Sequence, residues 1–252
     1  MLYAILQKEL VLPEVEKLRR AFSVSPLLTK LDAQTAFNDA YGILLRGQEE
    51  EHAKLIQAAL QEEKVETELV EEAKLPALPV ARIARQMAYE PEHLILTDPM
   101  QRQARAAWSD ILLIAAGYVK LREVRRHRSA LEESPTHAAG IGEDMRSDST
   151  AREEEHPHML LELFLHGGTR YSLQADEFSF EHLGARQTDD LSLDFVAVVR
   201  DVAERAPQAG QNRGAYHACL EPPELFPYPS KAAYQEELLW MLWRIERLRR
   251  GA

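Results

Sequence analysis

Cysteine is nearly absent from this chain: Cys219 is the single cysteine in 252 residues. A disulfide within one chain needs two cysteines, so a small disulfide-stapled fold is excluded, as is a zinc site built from several cysteines. We expect Cys219 to serve as a small packing side chain. With 45% hydrophobic residues, the chain can instead stabilise itself through a sizeable core.

Long hydrophobic runs are also missing. A transmembrane helix needs about 18 or more consecutive apolar residues, and the richest apolar stretch, residues 111–119, has only the length of a strand. The first nine residues acquire charge too early for a signal peptide. We therefore expect a cytoplasmic protein without stable membrane insertion.

Common catalytic signatures do not occur either. The sequence has no phosphate-binding loop, no dinucleotide fingerprint, no HExxH zinc motif and no GxSxG nucleophile elbow. Many active sites have no local signature, so catalysis stays open. The sequence favours a protein without enzymatic activity, and it predicts no cofactor.

The charge is acidic overall and unevenly distributed. Lys and Arg number 30 against 41 Asp and Glu, giving −11, which argues against nucleic-acid binding because that needs a basic surface. Residues 1–79 have a net charge of −5 and residues 129–252 have −10, whereas residues 82–128 have +4. The basic excess is concentrated at Lys120, Arg122, Arg125, Arg126 and Arg128.

This basic cluster supports two interpretations. It predicts a site for an anion or for an acidic partner protein, since Lys120 and Arg122 share one face of a strand. Alternatively, the cluster is neutralised within the chain by residues 129–157, which carry 8 acidic and 2 basic side chains. That segment lacks aromatic residues, so we interpret it as a mobile loop.

Histidines supply the other candidate site. His156 and His158 flank a proline beside three glutamates, the densest group of possible metal ligands. The alternative is a charged loop end that runs into a strand. The nearby His166-Gly167-Gly168 sequence is typical of a tight hairpin turn.

The first 75 residues read as alternating strands and helices. Apolar runs and alternation predict strands at 2–6, 27–31, 41–45 and 65–69, with helices after Pro13 and from Glu49 to Lys64. This is the βαββαβ order of a ferredoxin-like unit. Residues 32–39 could equally form a short helix capped by Asp32.

Residues 41–72 carry a resemblance to a known family. The run AYGILLR, the helix EEEHAKLIQAAL and the strand VETELV are similar to the small prokaryotic putative signal-transducing domains, which are ferredoxin-like. The resemblance implies binding or signalling and brings no catalytic residue.

The remaining chain is rich in predicted strands and ends in helices. Strands are expected at 93–97, 102–108, 111–119, 159–165 and 169–173, and helices at 190–205 and 230–250, separated by an irregular segment at 207–229. The sequence Trp108-Ser109-Asp110-Ile111, which leads into a strand, resembles bacterial pleckstrin-homology-like domains. This resemblance also implies binding or signalling.

Together these patterns predict an α+β protein with a ferredoxin-like unit at 1–75, a pleckstrin-homology-like unit at 76–206 and a C-terminal segment at 207–252. The predicted function is a non-enzymatic binding or regulatory protein that associates with a protein partner or with itself. The alternative is a metabolite sensor or small-molecule enzyme with its site between the two halves.

Overall fold

The computed structural model describes residues 1–39, 41–126 and 151–251. Helices and sheets are both prominent, and the predicted α+β class is confirmed. In the described part of residues 1–75, the elements are β1 Leu2–Gln7, α1 Val15–Phe22, α2 Lys30–Asp39, β2 Ile43–Glu49, α3 Glu50–Glu62 and β3 Thr67–Glu71.

The strands of this first unit form an antiparallel sheet in the order β2-β1-β3. β1 lies in the centre because Ala4, Ile5 and Leu6 are fully buried and need cover on both faces. The helices cover one face, where Phe22 and Ile56 pack against Ile5. The opposite face is apolar too, and it is covered by the last helix of the chain.

Of the strand at 27–31 and the short helix at 32–39 that the sequence left open, the structure has the helix. The sequence predicts a strand at 27–31, but the chain turns there and α2 begins at Lys30. The Thr29 N–H and hydroxyl donate to Asp32 Oδ2 at 2.6 and 2.7 Å, and Asp32 N–H donates back to Thr29 Oγ1 at 3.3 Å. This reciprocal arrangement fixes a helix start. The described residues of the first unit therefore contribute three strands to its sheet where four were predicted.

The rest of the described chain is strand-rich up to Gln174 and mainly helical afterwards. Its elements are β4 Ala81–Ile83, β5 Gln86–Tyr89, β6 His93–Thr97, β7 Gln103–Ala107, β8 Ile111–Arg126, β9 Ala151–Leu165, β10 Arg170–Gln174, α4 Leu191–Arg205, β11 Gly210–Gln211, α5 Arg213–Ala218, β12 Pro227–Tyr228 and α6 Lys231–Gly251.

These strands form two sheets. One follows the order β11-β8-β9-β10-β4, with β12 also paired to β8, and the other follows the order β5-β6-β7. The predicted hairpin around His166 is confirmed: Gly168 has φ +76° and its N–H donates to Leu165 O at 3.0 Å. α4 contributes Phe195, Val199 and Val202 to the core shared by the two sheets.

The outer half of β8 and β9 is a two-stranded ribbon. The two strands stay paired as far as Arg126 opposite Ala151, whereas the described pairing of β12 with β8 stops at Val119 and that of β10 with β9 stops at Leu160. The predicted loop at 129–157 is therefore too long, because residues 151–157 pair their backbone with residues 120–126. The remainder of that predicted loop, up to residue 150, lies outside the described residues.

The proline-rich segment at 207–229 is held by a buried polar network. Asn212 is 1% exposed; its amide donates to Ala116 O and to the Tyr228 hydroxyl at 2.8 and 2.9 Å. Tyr228 donates in turn to Glu237 Oε2 at 2.7 Å, and the backbone N–H of Arg213 donates to Glu237 Oε1 at 2.8 Å. The network joins α5, β12 and α6 to β8, so a segment predicted to be irregular includes ordered elements.

Helix α6 lies between the two halves of the molecule and is apolar on two faces. Leu238 and Leu242 pack on the large sheet. Trp240 and Trp243 pack on the face of the first sheet that is opposite to α1 and α3. The Trp240 indole N–H also donates to Gln7 O at 2.7 Å. The structure has a helix where one was predicted at 230–250, and this helix connects the two units.

Candidate functional site

The predicted basic cluster lies mainly on the ribbon. Arg128 lies outside the described residues, and the other four positions belong to β8: Lys120, Arg122, Arg125 and Arg126. The backbone register places Arg122 opposite Glu155. The same register places Arg125 opposite Arg152 and Glu123 opposite Glu154, so it favours neither of the two interpretations. Binding of an anion or acidic partner by this cluster remains a prediction.

The two predicted metal-binding histidines both lie on β9. His158 is 7% exposed, and its Nδ1 lies 3.1 Å from Asp176 Oδ2 and 2.7 Å from Gln174 Nε2. Within the described ranges, no group of three or more His, Cys, Asp or Glu side chains is arranged to hold a metal ion. His158 takes part in a polar contact between β9 and the turn after β10, and a metal site there remains a prediction.

A free sheet edge is the feature that the sequence did not reveal. β3 is the outer strand of the first sheet, and its pairing with β1 fixes which backbone groups face outward. The N–H of Lys8 donates to Glu66 O at 3.0 Å, so this pair is hydrogen-bonded across the two strands. Alternate residues then turn their N–H and C=O away from β1. These outward-facing residues are Thr67, Leu69 and Glu71.

The outward-facing backbone groups of β3 differ in their hydrogen-bond partners. Gln57 of α3 donates its Nε2–H to Thr67 O at 3.0 Å. The N–H and C=O of Leu69 have no hydrogen-bond partner among the described residues. An exposed strand edge with unpaired backbone groups is a template for another strand.

A groove of about 570 Å³ runs along this edge. We call it the β3 groove; its lining residues are Lys8, Gln57, Gln61, Lys64, Glu66, Thr67, Glu68 and Leu69. Thr67 is 7% exposed, and its Oγ1 is buried without a hydrogen-bond partner among the described residues. A buried unpartnered hydroxyl is rare and costs free energy; this oxygen lies beneath the surface of the groove.

Lys64 stands at the end of α3 in a strained conformation. Its φ is +61°, in the left-handed region that favours glycine. The N–H of Lys64 donates to Gln61 O at 3.0 Å and that of Val65 donates to Leu60 O at 2.9 Å, which is the Schellman pattern of a helix end. A lysine at this position costs about 1 kcal/mol relative to glycine. Backbone strain is common at binding sites.

One of the positively charged side chains that line the groove has no ion-pair partner among the described residues. Lys8 Nζ lies 3.5 Å from Glu66 Oε2, and Glu68 is bound by Arg247 of α6. Lys64 makes no ion pair with any described residue. The β3 groove therefore offers a free ammonium group to an acidic ligand.

A second cleft of about 410 Å³ adjoins the β3 groove, because Lys64 and Glu66 line both. Its wall is formed by the loop after β1, where Val11 and Leu12 are 63% and 47% exposed. The continuous surface thus combines an open strand edge, a free lysine and an apolar end. Such a surface suits an extended peptide.

Another concentration of ionisable groups fastens α4 to the β5-β6-β7 sheet. Asp201 is bound by Arg186 through two hydrogen bonds of 2.9 and 2.5 Å, and His182 Nε2 lies 3.2 Å from the Tyr89 hydroxyl. Burial raises the pKa of Tyr89 well above its usual value and lowers the pKa of His182. Both rings therefore stay neutral near pH 7, and the Arg205 guanidinium stacks 4.4 Å from the Tyr89 ring centre. This arrangement is a packing contact.

The chain was compared with protein-family models, with curated proteins and with solved structures, and nothing matches it. The two family resemblances therefore stay predictions. In the part of the chain that the structure describes, no helix is long and apolar enough to cross a membrane.

Proposed function

We propose that this protein is a non-enzymatic binding protein that takes an extended segment of a partner protein as an additional strand beside β3. The observation that carries the proposal is the unpaired, outward-facing N–H and C=O of Leu69 within the β3 groove. Main-chain hydrogen bonds in such strand addition supply affinity, and pockets for alternate side chains supply specificity.

The neighbouring groups define what the partner segment carries. An acidic side chain meets the free ammonium of Lys64, which has no ion-pair partner among the described residues. An apolar side chain meets the exposed Val11 and Leu12 at the end of the adjoining cleft. The expected ligand is thus an extended peptide with an acidic and an aliphatic residue.

A different protein suits this edge better than a second copy of the chain. An antiparallel pair of β3 strands centred on Leu69 would bring Glu66 near Glu72 of the second copy, just beyond each end of the paired strands. Like charges directly opposite one another destabilise a sheet. Glutamates at a strand edge therefore oppose self-association through β3.

The alternative function is a sensor or enzyme with its site between the halves. Helix α6 occupies the space where such a site would lie. Leu239 and Trp240 of this helix pack on the first sheet while Leu238 packs on the large one. A ligand between the halves would have to displace these side chains. Strand addition at β3 requires no such rearrangement.

The test uses a matched pair of variants at Glu71. This residue has φ −59°, which is compatible with proline, and its N–H faces away from β1. Glu71→Pro therefore removes an edge donor without removing a ladder bond of the sheet, whereas Glu71→Ala keeps the N–H. Both variants lose the ion pair of Glu71 with Lys74.

Random peptides displayed on phage are selected against the immobilised full-length chain, and the affinities of enriched peptides are measured by fluorescence anisotropy. We expect Glu71→Pro to weaken binding roughly tenfold or more, because it removes a hydrogen bond and obstructs the edge, and Glu71→Ala to bind like the wild type. Failure to enrich any peptide, or equal binding by the two variants, would contradict the proposal.

A further inference from the structure

A second groove lies where β4 meets the turn between β6 and β7. It has a volume of about 510 Å³ and shares no lining residue with the β3 groove. We call it the arginine groove; it is lined by Arg82, Ile83, Leu96, Thr97, Asp98, Pro99, Arg102, Gln103, Ala104 and Tyr171. Its floor is apolar, and its two arginines are exposed.

Apolar side chains around this groove are unusually exposed. Ile83 in its lining is 44% exposed, and Met100, which follows the lining residue Pro99, is 73% exposed; Val80, two residues before the lining residue Arg82, is 93% exposed. Single exposed apolar residues need no explanation, but a group of them at one cavity indicates an interaction surface.

The charges of the groove favour an acidic ligand. Arg82 makes no ion pair with any described residue. Asp98, the acidic lining residue, is already engaged: its Oδ1 accepts the N–H groups of Met100 and Arg102, and its Oδ2 accepts Arg102 Nε–H at 2.7 Å. These hydrogen bonds, chiefly the one from the Arg102 backbone, lower the pKa of Asp98. One positive charge is therefore left uncompensated.

The strand that carries Arg82, β4, also has an unpaired edge. β4 is the last strand of the large sheet and pairs in parallel with β10. The N–H of Ala84 donates to Ser172 O at 2.9 Å, so the N–H and C=O of the preceding residue, Ile83, face away from β10. They have no hydrogen-bond partner among the described residues.

We propose that the arginine groove is a second docking site, which binds an acidic segment of a partner protein with aliphatic side chains between its carboxylates. Arg82 and the free donors of Arg102 bind the carboxylates, because the planar guanidinium matches carboxylate geometry. The aliphatic side chains cover Val80, Ile83 and Met100. A peptide also satisfies the free backbone groups of Ile83, which a lipid tail cannot do.

The probe is a short fluorescein-labelled peptide in which glutamate alternates with leucine, and its binding to the full-length chain is measured by fluorescence anisotropy. We expect Arg82→Ala to weaken binding about tenfold, as loss of one charge-assisted contact predicts, and Arg82→Lys to have an intermediate effect. Val80→Ser should also weaken binding. These residues are exposed, so the variants should fold normally.

Two controls make the result specific to this groove. Lys231→Ala removes an exposed positive charge outside the groove that has no ion-pair partner among the described residues, and it should bind like the wild type. Glu71→Pro, which blocks the β3 edge, should also leave this binding unchanged.

Three results would overturn the proposal: no binding of the probe peptide, binding that is insensitive to Arg82→Ala, or loss of binding in Glu71→Pro. An Arg82-dependent association with vesicles containing phosphatidylserine, without binding of the peptide, would instead assign the groove to a membrane surface and would also refute the proposal. Of these outcomes, loss of binding in Glu71→Pro alone bears on the proposed function, because it would place the probe peptide at the β3 edge.

Discussion

At the scale of single residues, the candidate site depends on one strained side chain. Lys64 holds a backbone conformation that suits glycine better, and the same residue lines both clefts beside β3. Proteins often retain such strain where a side chain is needed for binding. A substitution that relieves the strain at Lys64 should therefore raise stability and weaken binding at the same time.

Lys64→Gly should raise the free energy of unfolding by about 1 kcal/mol, because glycine adopts the left-handed conformation without a steric penalty. The same variant should weaken binding of the selected peptides, since it removes the free ammonium group. Urea unfolding and anisotropy measure the two effects. A variant that is stabilised but binds as tightly as the wild type would show that Lys64 has no part in the site.

Gly42 is the residue on which contact between α6 and the first sheet depends. Its φ is +101°, and a Cβ there would overlap the Trp240 side chain. Gly42→Ala should therefore lower the free energy of unfolding by about 3 kcal/mol, combining backbone strain with overpacking. Gly47→Ala is the matched control, because Gly47 has φ +69° but no atom within 4 Å of the added Cβ. It should cost only about 1 kcal/mol; equal effects in urea unfolding would contradict the packing at Trp240.

Buried tyrosines give the stability of the protein an alkaline limit. Burial raises the pKa of Tyr228 and Tyr234 well above the usual value. The folded protein therefore keeps these protons at pH values where the unfolded chain has lost them. The associated stability is present below about pH 10 and is lost as the pH rises above that value.

Urea unfolding at several pH values should show this fall in the free energy of unfolding. Tyr234→Phe should have a shallower fall than the wild type, since one of the buried phenol groups is removed. An identical pH dependence in the variant would show that Tyr234 does not contribute.

At the scale of elements, α6 is the helix that joins the two halves. Its second apolar face, which includes Trp240, packs on the first sheet. Trp240→Ala should lower the free energy of unfolding by about 3–5 kcal/mol. Leu248→Ala on the same helix should change it by less than about 0.5 kcal/mol, because Leu248 is 71% exposed. Similar losses in the two variants would contradict this orientation of the helix.

Local sequence patterns predicted most of the elements in which apolar residues recur at strand or helix spacing. An apolar stripe from Tyr234 to Leu248 predicted α6, although Leu248 is 71% exposed, and the two glycines after His166 predicted the hairpin turn. The strand predicted at 27–31 is absent. Its apolar run fits a strand, but the helix start at Thr29 and Asp32 depends on specific hydrogen bonds. The order within 207–229 arises from contacts of Asn212 with β8, which are distant in sequence.

At the scale of the whole molecule, the order of predicted strands and helices gave the α+β class but not the candidate site. Lys8 and Lys64 approach one another only because β1 and β3 are neighbours in the sheet. Whether a strand lies at an edge depends on the sheet order, which no local pattern in residues 65–71 encodes. The basic cluster was visible in the sequence because its residues lie close together along the chain.

The two proposed docking sites would make this protein a connector between partners. The β3 groove lies on the first sheet and the arginine groove lies on the strand-rich part. Because α6 connects these parts, a partner at either site would be held in a fixed position relative to the other. Two linked sites raise the effective concentration of one partner near the other.

Backbone amide hydrogen exchange at Leu69, measured by NMR with and without a selected peptide, tests the strand-addition proposal most directly. In the free protein, Leu69 should exchange faster than Glu68 and Val70, whose N–H groups face β1. Saturating peptide should slow exchange at Leu69 and leave the amides of β2 unchanged. Peptide binding with unchanged exchange at Leu69 would contradict strand addition at β3.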